Sequence, residues 1–483
     1  MKQLPETMAV GGLVAGWALA AGVLLAGTAA FTTASHGFGH DIAVRDMPVT
    51  ALSLSLAAAG ALFLLILPLL RQSAALPART RSALLVLIAA AGLAARLMLL
   101  ASEPVLEDDY QRYLWDGGVT ASGLNPYAAS PAAALAALPE TELGQLAAAS
   151  GDVLGRVNHP HLRTVYPPVA QGVFALAHRL SPWSLTAWRA VTVALELSAF
   201  ALLIVLLRDV GRSPLWATLY WWNPIPLKEI ANSAHMDVIL LPLLLGALVL
   251  ANRGRLLGAG ASLLLAAGVK LWPVLLLPLI WRPLIRQPGR LSAALAMAAL
   301  AGLAIAAPFI ITGLNGTSGL LAYMQSWKTN SALTPVLEAA AGAIAPSGDH
   351  GSALLARMAA GVALGALALW TARTEWRGAS ELADKTLLLA AAMFLLSPAQ
   401  FPWYYLWLLP LLAIRPVRGL LLLTATLPLY YLAFHFLARG EGEIFQGQVV
   451  WLIWLPVWAL LAHDLLRAMR WRTMPAPRPE PAA

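Results

Sequence analysis

The chain has 483 residues, of which 59% are hydrophobic and only 12% charged, with a mean hydropathy of +0.71. Soluble proteins carry about 25% charge, so a water-soluble enzyme, a disordered chain and a wet-surfaced solenoid are excluded. There is no cysteine, hence no disulfide framework or thiolate chemistry, and the net charge of +8 has to be read by its side of a membrane, with no nucleic acid implied.

A spanning helix needs about 20 mainly apolar residues. In chain order, such stretches are predicted at 8–30, 49–70, 83–101, 186–207, 291–311, 351–372, 416–437 and 447–466. The first is longer than a signal-peptide core and is expected as an uncleaved helix. Three further stretches read as hairpins of shorter helices: 214–226 with 236–251, 256–268 with 271–281, and 386–398 with 402–414. Trp222-Asn223-Pro224, Lys270-Leu271-Trp272-Pro273 and Phe401-Pro402-Trp403 stand at their midpoints, where proline and polar groups interrupt a helix. The fold class expected is an all-α polytopic membrane protein of about 14 transmembrane or re-entrant helices.

With both termini cytoplasmic, 20 of the 32 basic residues fall in inside segments, Arg71, Arg208, Arg253, Arg290 and Arg373 among them. Two long loops, 102–185 and 312–350, then lie outside. The expected organisation is 1–82 as N-terminal helices, 83–415 as a core, 416–473 as C-terminal helices and a disordered tail over 474–483. No internal repeat of the kind that builds transporters is found.

The loop 102–185 carries the chemistry. Glu107, Asp108 and Asp109 are consecutive. Like charges at this spacing raise one another's pKa, and one of them then suits general-base work on a hydroxyl. An acidic outside loop with no further role has the same appearance. Tyr113, Trp115 and Tyr127 are amphipathic rings suited to a sugar or to the membrane interface. Arg96 and Glu196 fall inside spans and are expected to pair structurally.

The string Asp108-Asp109-Tyr110-Gln111-Arg112-Tyr113-Leu114-Trp115-Asp116-Gly117, followed by Gly123-Leu124-Asn125-Pro126-Tyr127, resembles the first-loop signature of polytopic GT-C glycosyltransferases. It is most similar to bacterial polyprenyl-phosphomannose-dependent mannosyltransferases and the related glycosyltransferase family 87. Asn158-His159-Pro160 with Tyr166-Pro167-Pro168, Trp222-Asn223-Pro224, Ala234-His235-Met236-Asp237, Gly268 to Pro273, and Ser397-Pro398 with Pro402-Trp403-Tyr404 follow in family order. In the simplest family pattern the acidic motif follows the first helix. Here it follows the third, which sets 8–70 apart as an accessory pair.

The resemblance implies transfer of a hexose, mannose in the nearest relatives, from a polyprenyl-phosphate donor to a glycan or lipid acceptor on the outer face of a bacterial inner membrane. It implies a carboxylate base, with Asp109 the first choice and Asp108 the second. It implies a cation for the departing phosphate, from Arg112, Lys270, Arg163, Lys228 or His235. Lys270 also reads as a snorkelling hairpin lysine, and His235 as a helix cap. Tyr113, Trp115, Asn125, Tyr127, His159, Tyr166 and Asp237 are the expected sugar or acceptor contacts. Asp108, Asp109, Glu107 and Asp237 could hold a hard divalent ion, but one Arg or Lys can neutralise a monophosphate, so no metal or other cofactor is required. The alternatives are a polyprenyl-linked glycan polymerase or ligase, or a lipid flippase or transporter.

Overall fold

In the computed structural model, residues 6–344 and 348–473 are described. The expected tail, 474–483, lies outside the described residues. Among the described residues, eight helices are long and apolar enough to cross a bilayer: Val10–Phe38, Val49–Ala75, Ala78–Leu99, Leu185–Asp209, Pro288–Thr312, Gly351–Thr371, Arg418–Leu437 and Gly442–Arg467. Each overlaps one of the eight long apolar stretches, with ends that differ by several residues. No strand occurs among the described residues. The chain is an all-helical polytopic membrane protein.

The short helices break largely where proline and polar residues demand it. Leu256–Ala267 ends before Lys270, and the chain resumes at Trp272. Gly378–Leu396 ends before Ser397, and resumes at Pro402. The remaining hairpin differs from expectation. At Trp222-Asn223-Pro224 the helix is interrupted, and Asn223 Oδ1 accepts the Ile225 N–H at 2.9 Å and caps a new start. The direction changes eleven residues later, by 104° between Pro224–Asn232 and Met236–Asn252. That corner is Ser233-Ala234-His235, with Ala234 in the left-handed region at φ 57°.

Inside the bundle, the expected Arg96–Glu196 pair is present. Arg96 Nε donates to Glu196 Oε2 at 2.7 Å, Nη2 donates to Oε1, and Nη1 donates to the carbonyls of Gly92 and Trp221. Both side chains are fully buried. The guanidinium also stacks on Trp221, 3.5 Å from its ring centre. This fork locks three helical segments around one satisfied charge.

The two long loops are folded. Within 102–185 stand the helices Asp109–Ala121, Pro131–Leu135, Glu142–Ala149, Asp152–Gly155 and Pro168–Leu180. They enclose a small core of Trp115, Val119, Ala134, Leu154 and Val157. Asp109–Ala121 lies directly on Pro168–Leu180. Gly117 permits this, since a Cβ there would stand 2.6 Å from the Phe174 carbonyl oxygen. Within 312–350, Gly319–Ser326 and Leu333–Ile344 are helical. The segment between them is fastened to the 397–401 break by Thr329 N–H to Pro398 O at 3.1 Å and Gln400 N–H to Thr329 O at 3.0 Å. Both loops thereby become walls of one cavity.

Candidate active site

The cavity has a volume of about 1330 Å³, above the usual size of a small-molecule pocket. Its two ends differ in chemistry. The polar end is lined by Asp108, Asp109, Tyr113, Asn158, His159, Tyr166, Asp237, Lys270 and Tyr404. The apolar end is a groove between Ala298, Gly302, Ile305, Ala306 and Phe309 on one helix and Leu264, Leu271, Val274 and Leu277 opposite. The spacing 298, 302, 305, 309 puts one face of Pro288–Thr312 along this groove. Phe38, His40, Ile42, Val44 and Met47, from the link between the first two helices, complete the wall. The Glu103 N–H donates to Ser35 Oγ at 3.0 Å and holds this link against the acidic loop. The N-terminal helices thus help to build the cavity.

At the polar end one amide joins two acids. Asn158 Nδ2 donates to Asp108 Oδ1 at 2.7 Å and to Asp109 Oδ1 at 2.9 Å. The remaining Asp109 oxygen, Oδ2, has the Tyr113 hydroxyl at 3.5 Å, at the edge of hydrogen-bonding range. Enclosure by the cavity walls, helped by the charge of Asp109, pushes the Asp108 carboxyl up to about 6. Asp109 faces further inward, and its charge is felt at Lys270 and Tyr166.

Opposite the acids, Lys270 Nζ makes an ion pair with Asp237 Oδ1 at 2.7 Å. It lies 3.8 Å from the ring centre of Tyr404 and 5.1 Å from that of Trp407. The Trp407 indole N–H donates to the same Asp237 oxygen at 2.9 Å, and the Tyr404 and Tyr323 hydroxyls are bonded at 2.7 Å. Lys270 is therefore a cation held in an aromatic cage on the cavity wall, with ammonium protons beyond the one given to Asp237.

The other expected cations are placed differently. Arg112 spends its guanidinium on the carbonyls of Leu162, Asn158 and His159 at 3.0–3.1 Å. Its charge thus fastens the loop that presents Asn158. Arg163 donates to the carbonyls of Tyr127, Thr312 and Gly313 and to Asn315 Oδ1. It ties the first long loop to the second. Lys228 and His235 do not line the cavity; they are buried with Glu229 beneath Glu107, which does.

Of the expected sugar contacts, Tyr113, His159, Tyr166 and Asp237 line the cavity, whereas Trp115, Asn125 and Tyr127 do not. Trp115 stacks on Trp183 in the small core of the loop domain, with ring centres 6.0 Å apart. Asn125 Oδ1 accepts the Tyr127 N–H at 2.9 Å and closes a turn. The Tyr127 hydroxyl donates to the Tyr166 carbonyl at 2.8 Å. These three build the walls. Burial, reinforced by His161, pushes the His159 imidazole down and favours its neutral form.

Sequence reasoning did not assign Asn158, Tyr323, Tyr404 or Trp407 to the site. Asn158, Tyr404 and Trp407 have a signal, since they stand in or next to the motifs Asn158-His159-Pro160 and Pro402-Trp403-Tyr404. Tyr323 has none.

The family model of glycosyltransferase family 87 matches residues 164–398, and that of the MptB C-terminal domain matches 331–467. No curated protein and no solved structure matches the chain. The matched residues include Lys270, Asp237, the groove helix Pro288–Thr312 and the aromatic cage. With its bundle of apolar helices, the chain is a polytopic membrane protein, and its matches to glycosyltransferase family 87 and to the MptB C-terminal domain support a membrane glycosyltransferase.

Proposed function

We propose that the protein transfers a hexose, mannose by its resemblance, from a polyprenyl-phosphate donor to an acceptor hydroxyl on the outer face of a bacterial inner membrane. The observation that carries this reading is the cavity's division. The cavity is lined by an apolar groove along Pro288–Thr312, suited to an isoprenoid tail, and by a polar chamber with a caged cation and paired carboxylates.

In this reading the tail lies along Pro288–Thr312 and fixes the phosphate near Lys270. The ammonium takes up the negative charge that grows on the phosphate as the anomeric bond breaks. Asp237, bonded to Trp407, keeps Lys270 in place. Asp109 accepts the proton of the attacking hydroxyl, and Asp108, tied to it through Asn158, sets its electrostatic surroundings. Tyr113, Tyr166 and His159 line the space left for the sugars. Transfer needs no metal on a monophosphate, since the lysine supplies the charge.

The test uses purified enzyme in vesicles with a radiolabelled polyprenyl-phosphate mannose and a mixed lipid and glycan acceptor fraction. Transfer of label, blocked when the donor lacks its phosphate, supports the reading. Turnover of a sugar diphosphate donor in its place, or movement of intact donor across the vesicle without transfer, contradicts it.

A further inference from the structure

We infer that Glu107, Glu229 and His235 form a binding site for one divalent transition cation of the zinc or manganese type, set into the cavity wall at Glu107, with Glu229 and His235 buried beneath it. The three side chains come from two stretches more than a hundred residues apart. One ligand atom of each lies within 4.8 Å of the others. His235 and Glu229 are fully buried, and the Glu107 side chain is 7% exposed.

Hydrogen bonding leaves this cluster unsatisfied. Neither ring nitrogen of His235 has a hydrogen-bond partner, nor has Glu229 Oε2. Buried polar atoms without partners cost roughly 1–3 kcal/mol each, so an imidazole and a carboxylate aimed at one point call for a shared ligand. His235 Nε2 stands 3.4 Å from Glu229 Oε2 and 3.6 Å from Glu107 Oε2. These separations are long for hydrogen bonds. They match the edges of a tetrahedron around an ion with bonds of about 2.0–2.2 Å.

The surroundings orient the ligands as second partners do in metal sites. The Tyr431 hydroxyl donates to Glu229 Oε1, leaving Oε2 for the ion. His235 stacks on Trp403 at 4.0 Å between ring centres. Lys228 Nζ approaches the other oxygen of Glu107, Oε1, at 3.6 Å, and rests on the Tyr431 ring at 4.1 Å. It also lies 3.6 Å from Glu229 Oε2. With one imidazole and two carboxylates, the donor set suits zinc or manganese better than calcium or magnesium, which favour oxygen alone. The ion would pin the residue preceding Asp108-Asp109 to the 104° corner of the chain. Its role is to position the acidic loop.

The test is metal binding by the full chain in detergent, independent of sugar transfer. After chelation and gel filtration, Zn2+ or Mn2+ is added and the metal retained per chain is measured. Near-stoichiometric retention is expected in the wild type and in the exposed control Glu142→Gln. Glu229→Gln and His235→Gln should bind at least about tenfold more weakly. Since a variant can fail to fold, Co2+ is also bound to the wild type. Visible absorption of a four- or five-coordinate site, with one imidazole seen by X-ray absorption, supports the site. Wild-type retention no greater than that of the variants, or an aquo-like cobalt spectrum, overturns it. The cluster is then a metal-free balance of two carboxylates against Lys228 and an imidazolium.

Discussion

Asn158 holds both candidate bases by one amide group, and its replacement by alanine gives a measurable shift in pH dependence. The amide donates to Asp108 at 2.7 Å and to Asp109 at 2.9 Å. The bond to Asp108 favours its ionised carboxylate, so its loss raises the Asp108 pKa further. A hydrogen bond to a charged group is worth about 1.5–3 kcal/mol when buried, and Asp108 keeps a solvent edge where water replaces part of it. At 1.36 kcal/mol per unit, the discounted loss is about one pH unit. The Asp108 carboxyl starts at about 6, and its ionised form beside Asp109 strengthens that base. The step in kcat/KM that follows Asp108 ionisation should therefore lie near 6 in the wild type and near about 7 in Asn158→Ala. The variant should lose up to about fivefold at pH 6 and up to about twofold at pH 7 from this cause, and regain its plateau by about pH 8.5. The assay is sugar transfer in detergent micelles from pH 5 to 9, with donor affinity measured separately. A step that stays at its wild-type position, or a loss equal at every pH, refutes the electrostatic link between Asn158 and the acids.

Lys270→Met should weaken donor binding by about 10–100-fold, the worth of a charge-assisted hydrogen bond, and lower the rate as well; donor titration by quenching of tryptophan fluorescence, with Trp407 in the cage, reads it, and unchanged affinity moves the phosphate elsewhere. Gly302→Trp should raise KM for a long-chain polyprenyl donor roughly tenfold or more, since each CH2 kept from the groove forfeits about 0.8 kcal/mol. A short-chain donor analogue should be little affected, and equal losses for both would argue against the groove as the tail site. Glu196→Ala leaves Arg96 buried and unpaired and should cost about 3–5 kcal/mol. Thermal unfolding in detergent would show it as a lower Tm, with transfer per folded molecule near normal.

Much of the scaffold can be read from the sequence because a lipid solvent asks for long apolar runs, and each of the eight found corresponds to a helix. The charges inside those runs have one cheap solution, and Arg96 with Glu196 adopts it. The corner at 233–235 is hidden because its residues carry no proline, while the visible Asn223-Pro224 is repaired by a cap. In the site, Asp108 and Asp109 could be found from charge and motif, and Lys270 from its place between two short helices. Trp115 is separated from Tyr113 by the geometry of a helix, where positions two apart point to nearly opposite sides. Arg112 and Arg163 look free in a sequence, but folded loops leave backbone carbonyls that need donors, and these two supply them. The pairings of Asp237 with Lys270 and of Glu107 with Glu229 and His235 are set by tertiary contact alone.

The most direct test of the central claim is single-turnover transfer from a radiolabelled polyprenyl-phosphate mannose by wild type, Asp109→Asn and Asp108→Asn, with donor affinity measured in parallel. Asp109→Asn should bind donor as the wild type does and transfer about 10²–10⁴-fold more slowly, while Asp108→Asn keeps a larger share of the rate. Near-normal turnover in both variants would contradict a carboxylate base in the first long loop.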